Sequence, residues 1–215
     1  MTDWATISSL ATAGGTLVLA LATFSAVRSS NRSARVAERA LEAGMRPVLV
    51  GSRLDDPVEK VPFVEQRWFR VEGGHGLAHH EDGVVYLMMG VRNVGTGLAV
   101  LRGWQVRPGL VRGEDTEHLP VSEFRAQIRD IYIPAGDSSF WQGALRDRDD
   151  PLHGQVAELV GRHEAVTIEL LYGDGEGGQR VISRFALLPV GEDAWLISVS
   201  RHWNLDRDDP RDEDR

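Results

Sequence analysis

The densest cluster of side chains able to do chemistry lies in "GGHGLAHHEDG", which carries His75, His79, His80, Glu81 and Asp82. Imidazole and carboxylate are ligands for divalent metals, and His75 and His79, four residues apart, would share one face of a helix. The surrounding glycines oppose a helix and the stretch is not His-Glu-x-x-His. The alternative is a solvated loop or hairpin tip between two strands. "GDGEGG" matches Gly-x-Gly-x-x-Gly across Gly173, Gly175 and Gly178, but a dinucleotide fingerprint needs a helix after it. Here the strand-like "RVISRFALL" follows, which predicts a hairpin turn.

Nucleophile arrangements are missing. No serine sits in Gly-x-Ser-x-Gly, and the chain has no cysteine. Asp137-Ser138-Ser139 falls where a turn enters a strand, and backbone bonding accounts for those residue types there. His118, His153, His163 and His202 are scattered, with no serine placed beside any of them. The expectation is no catalytic residue, no cofactor and a non-enzymatic chain. The alternative is a membrane-tethered metal-dependent enzyme or ligand sensor using the His75–Asp82 loop.

The elements that would carry these residues begin with an apolar segment. No ionisable side chain occurs from Trp4 to Val27. As a helix at about 1.5 Å per residue this run covers roughly 36 Å, enough for a hydrocarbon core about 30 Å thick. A secretory signal would begin with a positive charge, whereas this run is preceded by Met-Thr-Asp. Arg28, Arg32, Arg35 and Arg39 follow the span, so the positive-inside rule places the rest in the cytoplasm and the N-terminus outside. Trp4 suits the outer headgroup zone. Ser8, Ala11, Thr12, Gly15 and Thr16 repeat at steps of four, a pattern that lets two membrane helices approach closely; a weakly apolar lone anchor has the same composition. The expected address is the cell inner membrane, single-pass, with lipid and a protein partner or a second copy as company.

After the anchor, "SSNRSARVAERALEAGMRP" reads as a helix with a narrow alanine-rich stripe, stopping at Gly44 before Pro47. With no strong breaker between them, span and stalk form one helix from about 4 to 43. From Pro47 the pattern changes to short β runs: "PVLVGSRL", "FVEQRWFRV", "GVVYLMMGVRNVGTGLAVLRGWQVRPG", "QIRDIYI", "SSFWQGAL", "AVTIELLY", "RVISRFALL" and "AWLISVSRHW". Runs of about eight residues joined by Gly, Pro, Asp and Asn turns predict an antiparallel sandwich. One helix interrupts, "DPLHGQVAELVGRH", with Asp150 as N-cap, Pro151 in the first turn and Val156, Leu159 and Val160 facing the core. It is expected to plug an end or an edge.

Trp68, Trp104, Trp141 and Trp195 fall in strands and are expected in the core, with an outward recognition face as the alternative. Trp203, beside His202 at the domain's end, is the one expected to be exposed. The tail "NLDRDDPRDEDR" is too polar to offset its ordering entropy and is expected to be disordered from about residue 206. The net charge of −8 excludes nucleic acid as the principal partner.

At "VYLMMGVRNVGTGLAVLRGWQV" the chain resembles a loosely defined group of bacterial single-pass membrane proteins with a juxtamembrane helix and an immunoglobulin-like β-sandwich. The matching residues are the Arg46-Pro47 step, Asn93, Gly95 and Gly97 with Ala99 one place late, Pro134-Gly136-Ser138, and Tyr172-Asp174-Gly177. The inserted stretch Asp147–His163 departs from that pattern. The resemblance covers nearly the whole chain and implies architecture rather than an activity. Asn93, Gly95 and Gly97 also read as turn chemistry: glycine permits positive φ or close backbone approach, and asparagine can bond its own backbone.

The fold class expected is therefore mainly β: an immunoglobulin-like antiparallel β-sandwich with one inserted helix, preceded by a transmembrane helix and stalk. The segments are 1–28 for the span, 29–45 for the stalk, 46–205 for the sandwich and 206–215 for the tail. The function expected is a membrane-anchored interaction or scaffold module.

Overall fold

A computed structural model describes residues 4–111, 115, 117–191 and 194–207; the side chains of residues 4–12, 39, 42 and 43 lie outside that description. Two compact units divide between Gly44 and Met45.

The first unit contains α1, Trp4–Gly44, one unbroken helix as the lack of an early breaker predicts. Its side chains from Ala13 to Gly44 are exposed wherever they are described, Arg28, Arg32, Arg35, Gly15 and Thr16 among them. Trp4, Ser8, Ala11, Thr12 and Arg39 have side chains outside the described set. Among the described residues, no helix is long and apolar enough to cross a membrane.

The second unit is built of β1 (Leu49–Gly51), β2 (Glu59–Pro62), β3 (Trp68–Val71), β4 (His75–Glu81), β5 (Val84–Asn93), β6 (Ala99–Pro108), β7 (Arg125–Ile133), β8 (Ser138–Leu145), α2 (Pro151–Gly161), β9 (Val166–Gly173), β10 (Val181–Val190) and β11 (Ala194–Asn204). A single 3-10 turn, Val121–Glu123, precedes β7. Nine strands form one curled antiparallel sheet in the order β1-β5-β4-β11-β10-β9-β6-β7, with β8 on β5. β1 and β4 follow one another along the same side of β5, and β8 takes the other side.

Alternation sets the inner face. In β9, Val166, Ile168, Leu170 and Tyr172 point into the main core, where they meet Val181, Phe185 and Leu187 of β10 and Leu87, Met89 and Val91 of β5. Trp104, Trp141 and Trp195 complete that core, as expected of tryptophans in strands. The joint between the two halves of the sheet is narrow: β4 and β11 pair only through Trp195–Gly76 and Leu196–His75. The "NVGTG" turn does not close a hairpin. It carries the chain from β5 across to β6, which pairs with β7 and β9 instead.

β2 and β3 form a separate hairpin over the outer face of β5 and β8, burying Val61, Phe63 and Val71 on Tyr86 and Met88. β2 lies in "DDPVEKVP", a stretch whose acids and prolines read as a connection; its pairing to β3 and the burial of Val61 outweigh that local signal.

α2 forms as its sequence predicts. The Asp150 carboxylate accepts from the Leu152 N–H at 3.0 Å, Pro151 occupies the first turn, and Val156 is fully buried with Leu159 and Val160 against the core. The helix packs on β4, β5, β6 and β9 at the end of the sheet where the chain turns at Asp82 and Gly83.

Candidate functional site

The histidine cluster is not a loop. His75–Glu81 is strand β4, paired to β5 through Gly76–Met89 to Glu81–Val84, with Asp82 (φ 53°) and Gly83 (φ 78°) as the two-residue tip. The extended backbone overrides the glycines around it. It sends His79 and His80 to opposite faces, as alternation in a strand requires. His79 lies against Glu81 (3.4 Å) and the Phe69 ring, while His80 stacks edge-on to His153 of α2. His75 Nδ1 is 2.7 Å from the Gly73 carbonyl, and Asp82 receives Arg67. Among the described residues, no three His, Asp or Glu side chains group as a metal site.

One scattered histidine does meet a serine. Ser183 Oγ stands 2.6 Å from His202 Nδ1 and 2.7 Å from the Tyr172 hydroxyl, which in turn accepts the Leu49 N–H at 3.0 Å. The pairing of β10 with β11 brings Ser183 opposite His202, a relation no local spacing reveals. Tyr172 and Ser183 are wholly buried, and burial pushes the Tyr172 hydroxyl up to about 12. A substrate has no access to Ser183. The chain of hydroxyls fastens β1 to β9 and β11.

Asn93 organises the start of the second unit. Its side chain is fully buried; Oδ1 accepts from the N–H groups of Val48 and Gly95, and Nδ2 donates to the carbonyls of Gly97 and Ile133. Gly95 and Gly97 are needed for close approach rather than positive φ. A Cβ on Gly95 would overlap the Arg46 carbonyl oxygen, and one on Gly97 the Met45 carbonyl oxygen.

On the outer face of β9 and β10, Glu169 and Arg184 form a buried ion pair at 2.7 Å. Arg184 also donates to the carbonyls of Asp115 and Glu117, and Glu169 Oε2 accepts the Leu119 N–H, so the pair straps the segment before β7 onto the sheet. Trp203 lies under the Arg184 guanidinium at 4.7 Å and is buried with Leu171 and Ile182. It was expected to be exposed; among the tryptophans with described side chains the exposed one is Trp68, at 67 %. Phase explains both outcomes: Trp68 sits on the outward side of the hairpin, whereas Trp203 faces the strap.

A cleft of about 360 Å³ lies between β7 and β8 in the second unit. These two strands are the unpaired ends of the curled sheet, joined across the seam by Gln127 Nε2 donating to the Gln142 carbonyl at 3.2 Å. β7 bulges there: Ile131 pairs with Leu101 and Ala126 with Gly103, leaving Gln127, Ile128, Arg129 and Asp130 against Arg102 alone. Trp104 and Gly143 line the cleft, with Phe63 and Val64 contributed by the turn between β2 and β3. Val64 and Ile128 are 75 % and 77 % exposed, and Trp68 is paired to Pro62, another lining residue.

Every charged group lining the cleft is an arginine. Arg125 bonds Asp150 at 2.6 Å and Arg146 bonds Glu65 at 2.6 Å. Arg146 holds the Glu65 carboxyl below its ordinary value. Burial opposes ionisation of Asp150, yet Arg125 and the Leu152 N–H keep its carboxyl low as well. Arg129 has no carboxylate partner among the described residues; its guanidinium lies 5.4 Å over the Phe140 ring. The side-chain oxygens of Gln127 and Gln142 are shielded from solvent without a hydrogen-bond partner among the described residues. Sequence reasoning did not single out these residues, because a cleft between strands distant in the sheet has no local spacing.

No protein-family model matches the chain, and neither the curated proteins nor the solved structures compared with it give a match.

Proposed function

We propose that the chain is a membrane-anchored protein-binding module, with the β7–β8 cleft and its apolar rim as the contact surface. The observation that carries this reading is the grouping of exposed Val64 and Ile128, with Trp68 adjoining, round a cleft at two unpaired strand edges. Large apolar side chains at the mouth of a cleft, with aromatic and arginine groups among them, are the composition of binding hot spots. The narrow β4–β11 joint supports reading the curled sheet as the two layers of an immunoglobulin-like sandwich. The resemblance to single-pass bacterial proteins agrees with that.

The anchor is α1. Its uncharged stretch Trp4–Val27 is followed by exposed Arg28, Arg32 and Arg35, which suit anionic headgroups on the cytoplasmic side. Tethering confines the encounter to the membrane surface and raises the effective concentration of two partners held there.

The test is a photo-crosslinking amino acid placed at Ile128 in the full chain in living cells, with Gln155 on the exposed side of α2 as control. A discrete protein adduct at 128, missing at 155 and weakened by Trp68→Ala, supports the reading. Equal or no adducts at the two positions overturn it.

A further inference from the structure

We propose that the occupant of the cleft is an acidic, extended protein segment carrying one large apolar side chain; this rests on the protein-binding reading above. Three properties of the cleft select that chemistry.

The first is charge. The chain has a net charge of −8, yet Arg125, Arg129 and Arg146 line the cleft and no Asp or Glu does. Arg125 and Arg146 already hold Asp150 and Glu65, so they contribute a partly compensated field. Of the three, Arg129 is the exposed one with no carboxylate partner among the described residues, and its guanidinium lies over the Phe140 ring. A planar guanidinium held in this way suits a carboxylate, which it can grip with two parallel N–H donors.

The second is hydrogen-bonding sense. The shielded oxygens of Gln127 and Gln142 are acceptors and have no donor among the described residues. Buried polar atoms are nearly always satisfied, and once either glutamine side chain turns toward the cleft the backbone N–H groups of an extended segment are donors of the right kind.

The third is size. A cleft of about 360 Å³ with Trp104 and Phe63 in its lining takes an apolar side chain, and falls at the small end of the range for ligand sites. The exposed rim of Val64 and Ile128, with Trp68 paired to the lining Pro62, extends beyond what a small ligand would cover. A peptide covers both cleft and rim.

The experiment uses the full chain in detergent and three immobilised pools of ten-residue peptides. One pool is randomised over Glu, Ser and Gly round a central Leu, a second has Lys in place of Glu, and a third has Ser in place of Leu. The acidic leucine pool is expected to retain the chain at least tenfold better than either other pool. Arg129→Glu, an exposed change that leaves the melting temperature in place, is expected to reverse the preference between the acidic and basic pools. Ile128→Ser is expected to lower retention on the leucine pool at least fivefold. Equal retention on all pools, or an acidic preference untouched by Arg129→Glu, overturns the inference. If that happens while the adduct at 128 still forms, the protein-binding reading stands and only the acidic occupant falls. If neither is seen, both fall.

Discussion

Glu169 and Arg184 stand directly opposite each other in β9 and β10, and neither side chain reaches solvent. A buried ion pair stabilises little in net, because desolvation of both charges offsets their attraction, but an orphaned partner is costly. Arg184→Met leaves Glu169 buried without its main partner and strips donors from the Asp115 and Glu117 carbonyls. We expect a loss of about 3–5 kcal/mol on chemical denaturation. The double change Arg184→Met with Glu169→Leu is expected to recover a large part of that loss. A double variant no more stable than the single would contradict this account of the pair.

Asn93 and Gly97 make a second stability prediction. Asn93→Ala leaves the Val48 and Gly95 N–H groups and the Gly97 and Ile133 carbonyls without their side-chain partner, at a cost of about 3 kcal/mol or more. Gly97→Ala drives a Cβ into the Met45 carbonyl and is expected to cost a similar amount, about 2–4 kcal/mol. Gly109→Ala tests the alternative source of glycine dependence: its φ is +76° and nothing crowds it, so only about 1 kcal/mol is expected. Denaturant midpoints for the three variants should rank in that way.

Acid should weaken the fold in a defined window. Asp150 and Asp206 are each opposed by burial but held below their ordinary values by Arg125 and Arg180, and Glu65 is lowered by Arg146. A carboxyl depressed in the folded state contributes stability above its unfolded value, about 4, and loses it as the pH falls through the folded value. Melting temperature should therefore hold from pH 7 to about 5 and decline below about 4. Arg180→Gln should make that decline shallower, because Asp206 then titrates nearer its unfolded value. An unchanged acid slope would remove Asp206 from the explanation.

Metal should not matter to the fold. His79 and His80 face opposite sides of β4, and among the described residues no third ligand joins either of them. Adding Zn²⁺ or EDTA to the tag-free full chain is expected to shift its melting temperature by less than about 1 °C, well below the effect of a bound structural metal. A stoichiometric, His79-dependent shift would revive the sensor alternative.

The full chain is expected to sediment with membranes and to need detergent for release. A reporter at its C-terminus should be active on the cytoplasmic side. Recovery in the supernatant without detergent would remove the anchor.

Most strands were legible because alternation and turn residues are local: β8, β9, β10 and α2 with its Asp150 cap follow their sequence patterns closely. β2 was hidden, since "EKVP" acquires its strand character only from β3 and the surface beneath. Trp68 and Trp203 exchanged their expected environments because a residue type does not specify which side of a strand is covered. Asp206, the first residue of the acidic tail, is tied to Arg180 at 2.7 Å; composition registers the polarity of such a segment but not a specific partner. The cleft was the least legible feature. It joins β7 and β8, neighbours in sequence whose opposed edges meet only after the whole sheet has curled.

The lead-in at Met45–Leu49 has a mechanical consequence. Its carbonyls at Arg46 and Val48 take the Thr96 and Val94 N–H groups, and its N–H groups at Val48 and Leu49 reach Asn93 and Tyr172. A pull applied at Met45 would therefore be divided at once between a turn and a distant strand, instead of peeling the three-residue β1 away pair by pair. The first residues of the second unit thus act as a strain relief, loading several strands together before the shortest one can give way.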